Sequence, residues 1–553
     1  MIRLLSNLFA WFFGFWIPIQ TQSPPVGDLL PDQTLHRPDQ KELMVPVHPG
    51  QPGVQPFWNG FSRRFIYPPA FAFEGVEGVK RYRFTALSLA DSQTYTFEAD
   101  KPWVPITPLW RDLPCSEVTL TVEALISAGP DTVVVSGKRQ FVKSPPFDGP
   151  YGRPAYDYGE SGRRCLGDLL SQPKIQHWLT DNEPDPSYPL WVHPSKMVRG
   201  IVQGMVAYSR LSPRPEDADR ALEVARRASR FLLSLSEPPG APLEAWPPTF
   251  WDGVDGDIHP VYAGEHMALE PAEVAEAYLD LFDVTRDTIY FHAARRIADT
   301  YLRLQRGDGT WYQRIETETG KPVKAHLLVP VSVINLFDRL AEQHGTSDYR
   351  RARTRALEWC MAHPVRTFSW EAQYEDTRPR ERYKNLSHRE PLMLAMLLFG
   401  EQPGDPEMLS EAEELIRFAE DQFVVWEISD PITRARLFRP GSRWNGNDPY
   451  FGSDWFVPSA AEQYVFFTPI SAATSFFIDA YVAAFKSTGK RRYLAKAVSL
   501  ANTITIAQQY WGGREIPTHL RKTMPELNWI NVSVKAATTL IRHRDVLKEF
   551  YGP

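Results

Sequence analysis

The stretch Ile289-Tyr-Phe-His-Ala-Ala-Arg-Arg-Ile-Ala-Asp-Thr-Tyr-Leu-Arg-Leu304 leads through Gly307-Asp-Gly-Thr-Trp-Tyr-Gln-Arg314 into Leu327-Leu-Val-Pro-Val-Ser-Val-Ile-Asn-Leu-Phe-Asp-Arg-Leu340. Its first part has a 3.6-residue apolar period with charges on one face, the pattern of a helix lying at a surface. Its last part is apolar on nearly every side, the pattern of a buried helix. Between them runs a glycine turn and a strand-like tail. Surface helix, turn, tail and buried helix form one unit.

The unit recurs. Apolar or small-residue-rich segments at 197–211, 272–282, 327–340, 391–399, 470–485 and 530–540 alternate with charged amphipathic segments at 215–235, 289–304, 349–361, 408–425 and 491–509. Ala221-Leu-Glu-Val-Ala-Arg-Arg-Ala, Ala293-Ala-Arg-Arg-Ile-Ala-Asp-Thr, Ala412-Glu-Glu-Leu-Ile-Arg-Phe-Ala and Ala497-Val-Ser-Leu-Ala-Asn-Thr-Ile share a register. Strand-like tails return at Phe368-Ser-Trp-Glu-Ala-Gln-Tyr-Glu375 and Gly512-Gly-Arg-Glu-Ile-Pro-Thr518. A periodic alternation of inner and outer helices predicts an α/α toroid over 159–553.

The preceding chain is different. Residues 1–23 carry a positive charge at Arg3 and then an almost unbroken apolar run, which reads as a secretory signal or an uncleaved anchor and is short for a membrane span. A Pro-rich linker covers 24–56. From 57 to 145, Tyr82-Arg-Phe-Thr-Ala-Leu, Thr94-Tyr-Thr-Phe-Glu-Ala and Val118-Thr-Leu-Thr-Val-Glu-Ala-Leu125 alternate apolar and polar residues between turn signals. These predict a small all-β sandwich. The expected fold is therefore a β-sandwich followed by an all-α toroid, exported as a secreted or periplasmic protein.

Composition narrows the partners. The net charge of −6 and the absence of basic runs exclude nucleic acid as an expected partner. No membrane contact is expected beyond the signal or anchor. Cys115, Cys165 and Cys360 form no metal-binding spacing, and there is no Rossmann or phosphate loop. No metal and no cofactor are expected. The Asp/Gly run from Asp252 to Asp257 lacks the glutamate that an EF-hand needs.

The helical part resembles the (α/α)6-barrel carbohydrate-active enzymes, in particular the uronic-acid-processing glycoside hydrolases (unsaturated glucuronyl hydrolases and related β-glucuronidases). The Gly-Asp-Gly-Thr-Trp tail at 307–311 and the Tyr383-Lys-Asn-Leu-Ser-His388 approach to an inner helix carry the likeness. The β region resembles the fibronectin III or immunoglobulin-like modules fused to such enzymes. The resemblance implies an oligo- or polysaccharide substrate containing uronic acid, held in a cleft bounded by the loops that lead into the inner helices. No catalytic motif of the family maps onto this chain residue by residue.

Four of those loops are rich in polar and aromatic groups. The first offers Trp251, Asp252, Asp255, Asp257, His259, Glu265 and His266; the second Trp370, Glu371, Tyr374, Glu375, Asp376, Asn385, His388 and Arg389; the third Arg443, Trp444, Asp454 and Trp455; the fourth His519, Trp529 and Asn531. Sugar sites need this mixture: flat rings for stacking, forked polar groups for hydroxyls and carboxyls for proton transfer. Each loop could equally be a solvated rim, the default for charged loops.

The carboxyl surplus favours hydrolysis, with Glu371 and Glu375 as the expected acid and base because their spacing places them on one side of either a strand or a helix. Asp252 is a reserve for that pair. Trp251, Trp370, Tyr374 and Trp455 are expected to stack on rings. Arg389 and Arg443 are expected to grip an acidic sugar, with Asn385 and His266 on hydroxyls. The competing mechanism is β-elimination with His388 or a tyrosine as base. A non-catalytic glycan-binding toroid would use the same aromatics without a carboxyl pair.

Overall fold

The computed structural model describes residues 40–47, 61–126, 133–254, 264–375, 382–401, 404–428, 454–523 and 528–551. The segment read as a signal or anchor and most of the expected linker lie outside them.

Twelve helices build the larger part. In chain order they are α1 (Tyr158–Ser171), α2 (Pro194–Ser209), α3 (Pro215–Leu235), α4 (Glu270–Thr285), α5 (Thr288–Leu304), α6 (Val331–Glu342), α7 (Arg350–Ala362), α8 (Arg389–Glu401), α9 (Pro406–Phe423), α10 (Ser471–Thr488), α11 (Arg491–Tyr510) and α12 (Ile530–Lys548). The even-numbered helices contact one another in the order α2, α4, α6, α8, α10, α12 and back to α2, closing a ring of six. Each packs against one odd-numbered helix outside it, and the last, α12, takes α1 as its partner. This is the expected toroid. Helix α1 completes the sixth pair, which the alternation had left without an outer member.

The physical origin of the two layers is plain in α3 and α10. Helix α3 buries Ala221, Val224, Ala225, Ala228, Phe231 and Leu232 on one face and, Asp217 apart, keeps its charges off that face. Helix α10 buries residues on most sides. Small residues close the ring. A Cβ at Gly200 of α2 would lie 2.9 Å from the Asn531 Cα of α12, and one at Gly162 of α1 only 2.5 Å from the Ala537 carbonyl oxygen. Only glycine lets the first and last helices approach so closely. Aspartates at the N-caps of α1, α5 and α9 accept the first free N–H groups of those helices.

The tails become a belt around the N-terminal rim of the inner helices. Strands β6 (Glu265–Met267) and β7 (Arg314–Glu316) pair, as do β8 (Val424–Val425) and β9 (Ser459–Ala460). Isolated bridges join Glu371 to Leu386, Ser387 to Gln463 and Ile470 to His519.

The N-terminal region corrects one expectation. Its described strands β1 (Arg64–Phe65), β2 (Tyr82–Ser88), β3 (Thr94–Ala99), β4 (Glu117–Leu125) and β5 (Val133–Lys143) form one sheet of order β1-β5-β4-β2-β3. No second sheet faces it among the described residues, so the sandwich is not what these residues form. The buried face (Phe84, Leu120, Val122, Phe141) is covered by non-strand chain: Phe71 and Trp110 pack on Phe141, and the Trp110 indole N–H donates to the Ile66 carbonyl at 3.1 Å. Alternation in a strand reports a dry face, and it does not report what dries it.

The sheet is tied to the toroid through α9. Asp421 accepts the backbone N–H groups of Ile66 and Tyr67, and Arg64 donates to the Val424 carbonyl at 2.7 Å. No helix of the described residues is long and apolar enough to cross a membrane.

Candidate functional site

All six inner helices begin at the belted rim, so their unpaired N–H groups and positive dipole ends converge there. A cavity of about 640 Å³ opens at this rim and runs down the axis. Its upper wall is unusually charged. Glu270 and Glu273 come from the first turn of α4, Lys196 and Arg199 from α2, Arg389 from α8, Lys535 from α12, and Tyr374, Glu375 and His388 from the loop before α8.

The charges are organised in two layers. In the upper layer Lys196 is ion-paired with Glu375, and its ammonium lies 5.8 Å from the Tyr374 ring centroid. His193 Nδ1 stands 4.0 Å from the same carboxylate. One helical turn deeper, Glu273 bridges the guanidinium groups of Arg199 and Arg389. Arg389 also reaches Glu390 at 3.4 Å.

The two upper carboxyls differ sharply. Burial, and then the charge of Glu375, push the Glu270 carboxyl up to about 8, so it keeps its proton at neutral pH. Its Oε2 is buried without a hydrogen-bond partner among the described residues. Burial also acts to raise Glu375, but Lys196 and His193 outweigh it and hold that carboxyl below its ordinary value. One acid and one base thus face a single cavity, the division of labour that proton-transfer chemistry requires.

His388 is the third chemically distinct group. Its ring stacks on Phe477 at 5.7 Å between Phe423 and Phe476. The Glu462 carbonyl oxygen lies 2.8 Å from Nδ1, so the hydrogen sits there and the lone pair is on Nε2. Nε2 is buried and unpartnered, and burial lowers the imidazole to about 4. His388 is a neutral, rigid acceptor in the cavity wall.

Of the residues expected from sequence, Tyr374, Glu375, His388 and Arg389 line this cavity, as do Trp529 and Asn531 of the fourth loop, while the others described do not. Glu371 and Glu375 are not brought together as a pair. Glu371 accepts the Tyr383 backbone N–H, pairs through its backbone with Leu386, and is pushed up to about 7 by burial. The chain then turns at Glu375, which ends any shared face. Asp252 is exposed, and Trp251 packs edge-on against Phe231. His266 is buried in the paired strands β6 and β7 against Thr317, 2.9 Å from its hydroxyl. Trp370 is fully buried and Trp455 nearly so, in the core rather than stacked on a free surface. Asn385 holds the belt together, donating to Gln463 at 2.8 Å and accepting from the Val465 N–H at 2.9 Å. Arg443, with Trp444, Asp255, Asp257, His259 and Asp376, lies outside the described residues.

Glu270, Glu273, Lys196 and Arg199 were not anticipated. Their signal was present: charges at i, i+3 spacing on helices that otherwise read as buried. A buried helix carries such residues when they face something polar.

No family model matches this chain, and no curated protein matches it. Among solved structures it is similar to cellobiose 2-epimerase from Spirochaeta thermophila DSM 6192 (15% identity, 70% of this chain and 97% of that one, TM-score 0.47). It is similar to a family 76 glycoside hydrolase from a bovine Bacteroides thetaiotaomicron strain (10%, 84% and 93%, 0.47). It is also similar to an unsaturated glucuronyl hydrolase specific for heparin (10%, 71% and 98%, 0.44).

Proposed function

We propose that this chain is a carbohydrate-active enzyme that hydrolyses glycosidic bonds at the mouth of the axial cavity. The observation that carries the reading is the split between Glu270 and Glu375. Protonated Glu270 gives its proton to the departing glycosidic oxygen as the carbon–oxygen bond breaks. Ionised Glu375 takes a proton from the water whose oxygen joins the anomeric carbon, or itself attacks that carbon before water releases the sugar. The inner-helix N-termini and the guanidinium groups of Arg199 and Arg389 favour a substrate bearing a carboxylate, which supports a uronic-acid-containing saccharide. The apolar run after Arg3 supports export.

A second reading rests on His388. Its bare Nε2 is a base of the right kind to take the proton beside a uronate carboxyl, with Arg389 steadying the resulting anion, so that the chain is cleaved by elimination. Incubation with neutral and uronate-containing oligosaccharides separates the two. Hydrolysis yields fragments that together gain one water, and Glu270→Gln slows it by orders of magnitude while binding persists. Elimination yields a product absorbing in the near ultraviolet and requires His388.

A further inference from the structure

The cavity does not end at the charged layers. The ion pair of Arg199 with Glu273 sets α2 and α4 level with each other. Gln203, one turn on, therefore sits about 6 Å deeper, at 1.5 Å per residue, beside Glu276. Arg339 of α6 donates to Glu276 at 2.7 Å and reaches Asp280 and Asp283 at 2.9 Å, so Asn335, one turn before it, comes to the same depth on the other side of Glu276. Gln203, Glu276, Ser332 and Asn335 all line the cavity. This row has a character unlike the layers above.

Its polar groups are unused. Ser332 is 5% exposed and its Oγ has no partner. Glu276 Oε1 is likewise buried and unpartnered, although Oε2 is held by Arg339. The side-chain amides of Gln203 and Asn335 face the cavity and make no hydrogen bond within the described chain. Two amides and a carboxyl oxygen thus lie without partners at one depth, with the Ser332 hydroxyl about 4.5 Å nearer the rim at 1.5 Å per residue. A buried polar group without a partner is costly, so the Ser332 hydroxyl and the free Glu276 oxygen call for a ligand that completes them.

We propose that this row is a second sugar subsite, which takes a neutral, hydroxyl-rich ring of the same saccharide below the ring held at the carboxyl pair. Amides offer a donor and an acceptor side by side, the match for vicinal hydroxyls. Glu276, Asp280 and Asp283 share the guanidinium of Arg339, so the acids outnumber that cation and the row repels an anionic ring. A neutral ring fits this row, whereas an anionic ring fits the layer of Arg199 and Arg389. The proposal rests on the hydrolase reading and adds that the substrate extends at least two rings along the axis.

The test uses unlabelled oligosaccharides of two to five residues, with and without a uronate, and cleavage read by mass spectrometry. Wild-type kcat/KM should rise with length. The double variant Gln203→Leu/Asn335→Leu should lose about tenfold, the equivalent of ~1.4 kcal/mol, on substrates long enough to reach the row and clearly less on the shortest one cleaved. Asn335→Ser, which keeps a hydrogen-bonding group, should recover part of the loss and guards against misfolding of the double variant. Equal loss at every length, or no loss, overturns the subsite and leaves the carboxyl pair standing. If the wild type cleaves none of them, the hydrolase reading falls. Saturation-transfer NMR with the same oligosaccharides then decides the row alone: contacts to a neutral ring that vanish in the double variant support it, and their absence overturns it.

Discussion

The ammonium of Lys196 is ion-paired with the carboxylate of Glu375, and this contact makes two carboxyls in one cavity chemically different. Burial acts to raise both, and Lys196 is the largest influence that opposes it at Glu375. Lys196→Met should therefore raise the Glu375 pKa and move the acidic limb of the pH–rate profile upward, lowering kcat at pH 5 more than at pH 7. Lys196→Arg should restore much of the wild-type profile. An acidic limb in Lys196→Met that coincides with the wild type would remove Lys196 from this role.

The pair also sets a bell-shaped profile. The rate should fall as pH rises through about 8, where Glu270 loses the proton that the leaving oxygen needs. It should fall on the other side below the ordinary carboxylate range, where Glu375 becomes protonated. Glu270→Gln should lower kcat by about 10²–10⁴ and abolish the alkaline limb. Steady-state rates from pH 3 to 10 decide this.

Glu371 gives the contrasting case. It does not line the cavity, so Glu371→Gln should leave kcat unchanged, and the amide oxygen can still accept the Tyr383 N–H. The variant should differ in stability instead. A carboxyl raised to about 7 in the fold contributes stability that is present in acid and lost as pH rises from the ordinary carboxylate range through about 7. The wild-type Tm should decline across that window more steeply than that of Glu371→Gln. A large loss of turnover in this variant would return Glu371 to the catalytic pair.

The toroid was legible because its helices advertise themselves twice, by period and by alternating surface and buried character. Helix α1 escaped because Gly159, Gly162 and Gly167 thin its apolar stripe, and those glycines serve contacts with partners far along the chain. Three of the five described strands were legible, but the cover of their dry face was not, because Phe71 lies in an irregular segment and Trp110 in a four-residue helix, and neither stretch has a period to read. The site was half legible. Glu375 and His388 stood in a loop dense with chemistry, whereas Glu270 and Lys196 sit in the first turns of buried helices, where the local pattern says core. The spacing of Glu371 and Glu375 misled because the chain turns at the second of them. Spacing predicts a shared face only while the backbone stays regular.

Asp421 makes the last prediction, on the union of sheet and toroid. Its Oδ1 accepts the Ile66 N–H at 2.5 Å and the Tyr67 N–H at 2.9 Å, and its Oδ2 accepts from Gln422 at 2.7 Å. Burial nevertheless pushes its carboxyl up to about 7. Asp421→Ala strands two buried N–H groups, which should cost about 2–6 kcal/mol at 1–3 kcal/mol each. Asp421→Asn keeps an acceptor oxygen and should cost less. The loss should be local first: in Asp421→Ala, amide exchange at Ile66 and Tyr67 should quicken before that of the inner helices α10 and α12, since strand β1 is held to α9 by these bonds. Equal acceleration throughout the chain would mean that the sheet and the toroid unfold as one unit and that Asp421 is not the latch between them.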